Sequence, residues 1–146
     1  MRNITRIFIH CTATPQQTTI ETLQAGFRAR GWDNPGYHYV IHPGGAIAQL
    51  QPEEKPANGV AGYNANAIHI AYIGGVIRDD YTGQLTPSDT RTPEQRAAIR
   101  HLLRKLRARY PHAQILGHRD IWGADQPAKW KKMCPCFNAS REYADI

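Results

Sequence analysis

The chain has 146 residues, a formal charge of +6 and 41% apolar residues. A chain of that length can bury about two-thirds of its unfolded surface in one domain, here taken as residues 1–146. No apolar run approaches the roughly 20 residues that cross a bilayer, which excludes a helical membrane protein. The three cysteines cannot all pair, which favours catalytic or metal-binding thiols in a reducing compartment over a disulfide framework.

The opening stretch "MRNITRIFIHCTATP" carries an Arg at position 2 but only a broken apolar run. It reads as a strand containing a histidine and not as a signal peptide, so a target outside the cytoplasm would be reached through export or release by another agent. "RIFIHCTA" (6–13) ends in turn residues and predicts a buried strand. "TTIETLQAGFRARG" follows as a helix with Thr18 as N-cap and Glu21 three residues on; Ile20, Leu23 and Phe27 share one face, and Gly31 ends it. "YHYVIH" (37–42) and "AIAQL" (46–50) flank a "PGG" turn and predict a hairpin, with His38 alternating away from Tyr37.

Residues 51–66 read as a long polar loop, and "AIHIAYIGG" (67–75) as another buried strand. Residues 77–91, rich in Asp, Gly, Thr and Pro, read as a second loop. "TPEQRAAIRHLLRKLRARY" is the clearest helix, with Thr92 as cap, Pro93 in the first position and Gln95 completing a capping box. Ile99, Leu102, Leu103, Leu106 and Tyr110 form its apolar stripe, leaving Arg100, Arg104 and Arg107 wet. "QILGH" (114–118) is the last strand. Interleaved strands and helices predict an α/β fold, a central mixed β-sheet flanked by α-helices. Residues 91–132 hold eleven Lys/Arg against three Asp/Glu, a basic face suited to an anionic partner or to plain solvation.

Two histidines end apolar runs, His10 in "IFIH" and His118 in "ILGH". Carboxyl ends of strands are where sites gather in open α/β sheets, so neighbouring strands would aim both imidazoles into one crevice. Two imidazoles and a thiolate make a three-ligand zinc site with a fourth position open to water, and His10, His118 and Cys134 supply that set. In "KMCPCFNA", Pro135 stiffens the turn and aims the two sulfurs apart, so one thiol binds metal while the other packs. Spacing alone does not choose between Cys134 and Cys136, and a structural zinc using both stays open.

Six blocks, "FIHCTAT", "GWDNPGYHYVI", "GYNANAIHIAYIGG", "LTPSDTRTPEQRAAIRHLLRKL", "GHRDI" and "KMCPCF", stand in the order and approximate spacing of the zinc N-acetylmuramoyl-L-alanine amidases. The chain resembles this family, which includes the phage T7-type lysozyme and the peptidoglycan recognition proteins, from about residue 4 to 143. The resemblance implies one zinc ion held by His10, His118 and Cys134. It also implies catalytic roles for Tyr37, in "GYH", and for Lys132, two residues before the ligand cysteine; Lys131 is the competing lysine. The implied reaction is hydrolysis of the amide between N-acetylmuramic acid and L-alanine in bacterial peptidoglycan. A compact chain without an export signal looks most like a phage or prophage endolysin, a monomer whose basic arm beside the site would suit anionic wall polymers.

Asn64, Asn66, His69, Arg119 and Trp122 are expected to line the substrate groove. Three departures stand out. Asn138 occupies a place where aspartate often shapes the C-terminal turn, "NGVAGYN" lacks the histidine that often precedes "GYN", and His69 stands where a small residue is commoner. The competing functions are a recognition module that binds muropeptides without cutting them, which the retained cysteine argues against, and a basic nucleic-acid-binding domain with structural zinc, for which no recognition motif is present. A cysteine hydrolase on Cys11 fails because adjacent strand residues point to opposite faces, so His10 cannot serve Cys11 as base.

Overall fold

The apolar runs do become strands. The computed structural model describes residues 2–146 and contains β1 (Arg6–Cys11), α1 (Ile20–Ala29), β2 (Tyr39–Ile41), β3 (Ile47–Gln49), β4 (Ala67–Tyr72), β5 (Val76–Arg78), β6 (Leu85–Pro87), α2 (Pro93–Arg109), β7 (Gln114–Gly117) and α3 (Ala139–Glu142). The main sheet has the order β3-β2-β4-β1-β7. β1 pairs parallel with both β4 and β7, β2 pairs parallel with β4, and the predicted hairpin adds β3 antiparallel to β2. The central strands are buried on both faces because both faces are covered.

Alternation along β1 and β4 splits the molecule into two layers. Ile7, Ile9, Ile68, Ile70 and Tyr72 pack against Ile99, Leu102, Leu103 and Leu106 of α2. Phe8 and His10 of β1 and His69 of β4 point the other way, where Leu23 of α1 also packs with Val40 and Ile73. The histidine face is thus opposite the basic helix.

Four local expectations need correction. The cap of α1 is Thr19, not Thr18: the Thr19 hydroxyl accepts from Thr22 N–H at 3.1 Å, while Thr18 N–H is already bonded to Pro15 C=O. Within 77–91, β5 and β6 form a small exposed hairpin, closed where the Asp79 carboxylate accepts from the N–H groups of Tyr81 and Thr82. With no buried face, that hairpin leaves no apolar alternation to read. Arg100 and Arg107 do not simply stay wet. Arg100 pairs with Asp145 and donates to Glu142 C=O; Arg107 donates to the carbonyls of Ala113, Pro111 and Ile146. Finally, the basic run is no arm beside the histidines, since most of it lies on α2 across the sheet and part of it ties down the C-terminus.

The capping box on α2 is present, and Gln95 does more than cap. Its side-chain oxygen accepts from Thr92 N–H at 2.9 Å, and its buried amide donates to the carbonyls of Ile41 and Ile73, each at 3.1 Å. The helix start is thereby bonded to the ends of β2 and β4. Asn138, in the place of the expected aspartate, caps α3 by accepting from Arg141 N–H at 3.1 Å.

A second polar tie joins the 51–66 loop to the end of α2. The buried Glu53 carboxylate accepts from the hydroxyls of Tyr39 and Tyr110 and pairs with Arg109. Burial alone would raise its pKa; the donors from Tyr39, Arg109 and Tyr110 outweigh that and hold it low. A carboxylate lowered in the folded state stabilises above its unfolded value, about 4.3, and that stabilisation is lost as pH falls through the folded value. Glu53→Gln is therefore expected to cost about 1–3 kcal/mol at pH 7. In thermal melts across pH its deficit should shrink below about pH 4, whereas a constant deficit would place the effect in packing.

Candidate metal centre and cleft

His10 lies near the end of β1, and His118 follows β7 directly. The parallel register pairs Ile9 with Gly117, so both side chains reach the same sheet edge, their ring centroids 5.0 Å apart. His118 opens a 3-10 turn (His118–Trp122) held by Asp120, whose Oδ2 accepts from Gly117 N–H at 2.8 Å and from the Ser140 hydroxyl at 2.7 Å.

Cys134 arrives from the far end of the chain. Its carbonyl accepts from Arg119 N–H at 3.0 Å, the Tyr72 hydroxyl donates to Pro135 C=O at 2.7 Å, and the Cys134–Pro135 peptide is cis. The Cys134 sulfur then lies 3.7 Å from His10 Nδ1 and accepts from Cys11 N–H at 3.3 Å. Cys136 diverges from it, its sulfur 3.5 Å from Gly75 C=O.

Donor atoms of His10, His118 and Cys134 all fall within 4.8 Å of one another. Tetrahedral zinc with ordinary bond lengths separates a nitrogen and a sulfur ligand by ~3.6 Å, which the His10–Cys134 spacing matches. Burial, then the neighbouring His69, His118 and Lys132, holds the His10 pKa far below the usual imidazole range; burial and then Lys132 bring His118 to about 4. Both rings are consequently neutral at pH 7, the form that ligates metal. Donor type, spacing and protonation state all suit zinc.

The donors sit in a cleft of about 680 Å³, whose walls include Phe27, Trp32, Tyr37, Tyr63, Trp122 and Lys132. Tyr37 packs its ring 5.2 Å from that of His10, and burial followed by Cys134 and Cys11 raises its pKa, so its hydroxyl stays protonated. Lys132 is exposed at the rim. Trp122 stacks on His118 at 5.5 Å.

The other expected groove residues lie elsewhere. Asn66 is exposed and donates to Asn3 C=O; Arg119 is buried with its guanidinium 3.8 Å from the Trp130 ring centroid. Asn64 and His69 stand behind His10, since His69 Nδ1 is 2.9 Å from His10 Nε2 and His69 Nε2 is 2.8 Å from Asn64 Oδ1. His38 does not face the sheet's other side: the strand starts only at Tyr39, and the His38 ring stacks on His69 at 5.9 Å. The aromatic wall of Phe27, Trp32 and Tyr63 is not evident in the sequence because Phe27 also fits a helix stripe. The "RGW" aromatic just past the helix end was its one sequence signal.

The decisive comparison is with protein families: residues 1–136 match the family described as N-acetylmuramoyl-L-alanine amidase. The chain belongs to that family. The amidase is 28% identical over 138 residues to the endolysin of Enterobacteria phage K11, covering 93% of this chain and 83% of that protein. It is 29% identical over 137 residues to the endolysin of Escherichia phage T7, covering 92% and 82%. Among solved structures, the N-acetylmuramoyl-L-alanine amidase LysC from Clostridium intestinale superposes with a TM-score of 0.74 at 25% identity, covering 97% of the amidase and 83% of LysC. Drosophila PGRP-LB, at 18% identity and a TM-score of 0.69, covers 100% of the amidase and 81% of its own chain and shows the shared fold. Among the described residues, no helix of the amidase is long and apolar enough to cross a membrane.

Proposed function

We propose that the amidase uses one zinc ion held by His10, His118 and Cys134, that residues 1–146 form a single catalytic domain, and that it serves as an endolysin, acting on the cell wall after release from the cytoplasm. The observation carrying this reading is the convergence of two neutral imidazoles and a thiol from three distant segments at the floor of one cleft. Zinc bound there would lower the pKa of a water toward neutrality and polarise the lactyl carbonyl of N-acetylmuramic acid.

The chain's own side chains supply the rest. The Tyr37 hydroxyl, kept protonated, donates a hydrogen bond to the oxygen on which negative charge develops. Lys132, free at the rim, hands a proton toward the departing alanine amine or stabilises the same charge. Phe27, Trp32 and Trp122 offer apolar faces to the sugar and peptide. The lining includes Arg30 and Lys132 but no Asp or Glu among the described residues, a polarity suited to the carboxylates of a stem peptide. The similarity to the K11 and T7 endolysins over more than nine-tenths of the chain supports the lytic role.

Digestion of purified peptidoglycan, with and without a zinc chelator, tests the reading. New alanine amino termini should vanish with chelator and return with added zinc, without new reducing sugars. Zinc bound without any cleavage would favour a recognition module, and cleavage indifferent to chelation would remove the metal from the mechanism.

A further inference from the structure

We propose that Asn64 and His69 are positioning residues that set the tautomer of His10, leaving its Nδ1 bare on the side of the Cys134 sulfur. The inference rests on the metal-centre reading above and deepens it. Val60 N–H can only donate, and it donates to Asn64 Oδ1 at 2.9 Å, which identifies that atom as the amide oxygen. The same oxygen lies 2.8 Å from His69 Nε2 and can only accept, so His69 carries its proton on Nε2. The groups that face the His69 ring, Phe8, His38, Asn64, His10 and Gly59, include no carboxylate, so the ring carries a single proton and its Nδ1 is bare. His10 Nε2, 2.9 Å away, must then donate to it. With that proton on Nε2, neutral His10 presents a lone pair at Nδ1, the nitrogen 3.7 Å from the Cys134 sulfur.

The surroundings leave His69 no other arrangement. Its ring is stacked between Phe8 at 5.5 Å and His38 at 5.9 Å, each inclined by 10°. Its backbone N–H donates to His38 Nδ1 at 3.0 Å, and His38 in turn donates from Nε2 to Lys55 C=O at 2.7 Å. His38 and His69 are both fully buried, so water cannot substitute for these partners. A side chain at Gly59 would overlap the His69 imidazole, so the glycine keeps the space that the ring occupies. Without this chain, a buried His10 could as readily carry its proton on Nδ1 and turn an N–H toward the metal position. A partner on the non-ligating nitrogen commonly changes metal affinity by 10–100-fold.

The test reads the tautomer directly and does not need activity. In the metal-free, uniformly 15N-labelled full chain at neutral pH, long-range 1H–15N correlation spectra should show His10 and His69 both protonated at Nε2. Asn64→Ala and His69→Leu should redistribute the His10 proton and weaken zinc binding by about 10–100-fold in competition with a chromophoric chelator. Thermal melts confirm that the variants are folded; Asn64→Ala carries the test if His69→Leu is not. A wild-type His10 protonated at Nδ1, or folded Asn64→Ala with wild-type spectrum and zinc affinity, overturns the proposal. Wild-type protein that binds no zinc would sink the metal reading instead, with the tautomer still decided by the metal-free spectrum.

Discussion

Cys134→Ser should lose stoichiometric zinc and lower amide hydrolysis by ~10³-fold or more, with the fold retained, because a serine hydroxyl stays protonated where a thiol gives up its proton to metal. Among the three donors this is the cleanest substitution. The sulfur is half-buried at the cleft floor, and exchanging it for oxygen opens little space. His10→Ala would confound the result: it empties a fully buried ring position and strands the His69 Nδ1 that His10 now meets. His118→Ala is intermediate, since Trp122 loses its stacking partner. Cys136→Ala provides the contrast. Its hydrogen bond with Cys11, then burial, raises the Cys136 pKa, and its sulfur faces the Gly75 carbonyl rather than the histidines. It should keep both zinc and activity. Metal content by mass spectrometry and release of alanine amino groups check all of these together. A Cys134→Ser protein with full zinc and full rate would transfer the ligand role to another group.

Lys132→Ala should lower kcat by ~10²-fold or more while zinc content and melting temperature stay unchanged, since the side chain is exposed and removal of a positioned proton donor costs rates of that order. Lys131→Ala is its control and should do little, because Lys131 is absent from the cleft wall. Tyr37→Phe deletes only the hydroxyl. The ring keeps its packing beside Leu23, Val40 and Phe27, and the bond lost, to Cys11 C=O at 3.5 Å, is long and weak. Stability should therefore hold, while kcat falls by about 10²–10³-fold as a donor to the developing oxyanion disappears. Both losses should fall on kcat more than on KM, the pattern of contacts made chiefly in the transition state. A Tyr37→Phe enzyme with wild-type kcat would assign that residue to cleft packing alone.

The parts of this amidase that could be read from the sequence are those specified by residues near one another in the chain. Thr92, Pro93 and Gln95 announce the start of α2 because capping is settled within one turn. The α/β class follows from runs such as "RIFIHC" and "AIHIAY", whose apolar character is independent of what they pair with. His10 and His118 were legible as donors by residue type and by their places at run ends, whereas Cys134 was legible by residue type and by the family resemblance. The β5–β6 hairpin and the Thr19 cap were not: an exposed hairpin carries no burial pattern, and neighbouring threonines offer equivalent hydroxyls.

Side choice and convergence were decided only by the tertiary structure. That the basic helix lies across the sheet from the histidines depends on which face of β1 and β4 it covers, and both faces are buried. That the Cys134 sulfur and not that of Cys136 lies beside His10 follows from a contact spanning 124 residues, made possible by parallel pairing of β1 with β7 and by the turn that Tyr72 and Arg119 hold. His69 looked like a groove residue because it is polar within a strand; its partners, Asn64 and His10, turn it into support behind the site. Periodicity, caps and donor types are local and therefore written in sequence. Which donors share a cleft, and which nitrogen of His10 is left bare, depend on packing between distant segments and exist only once the chain is folded.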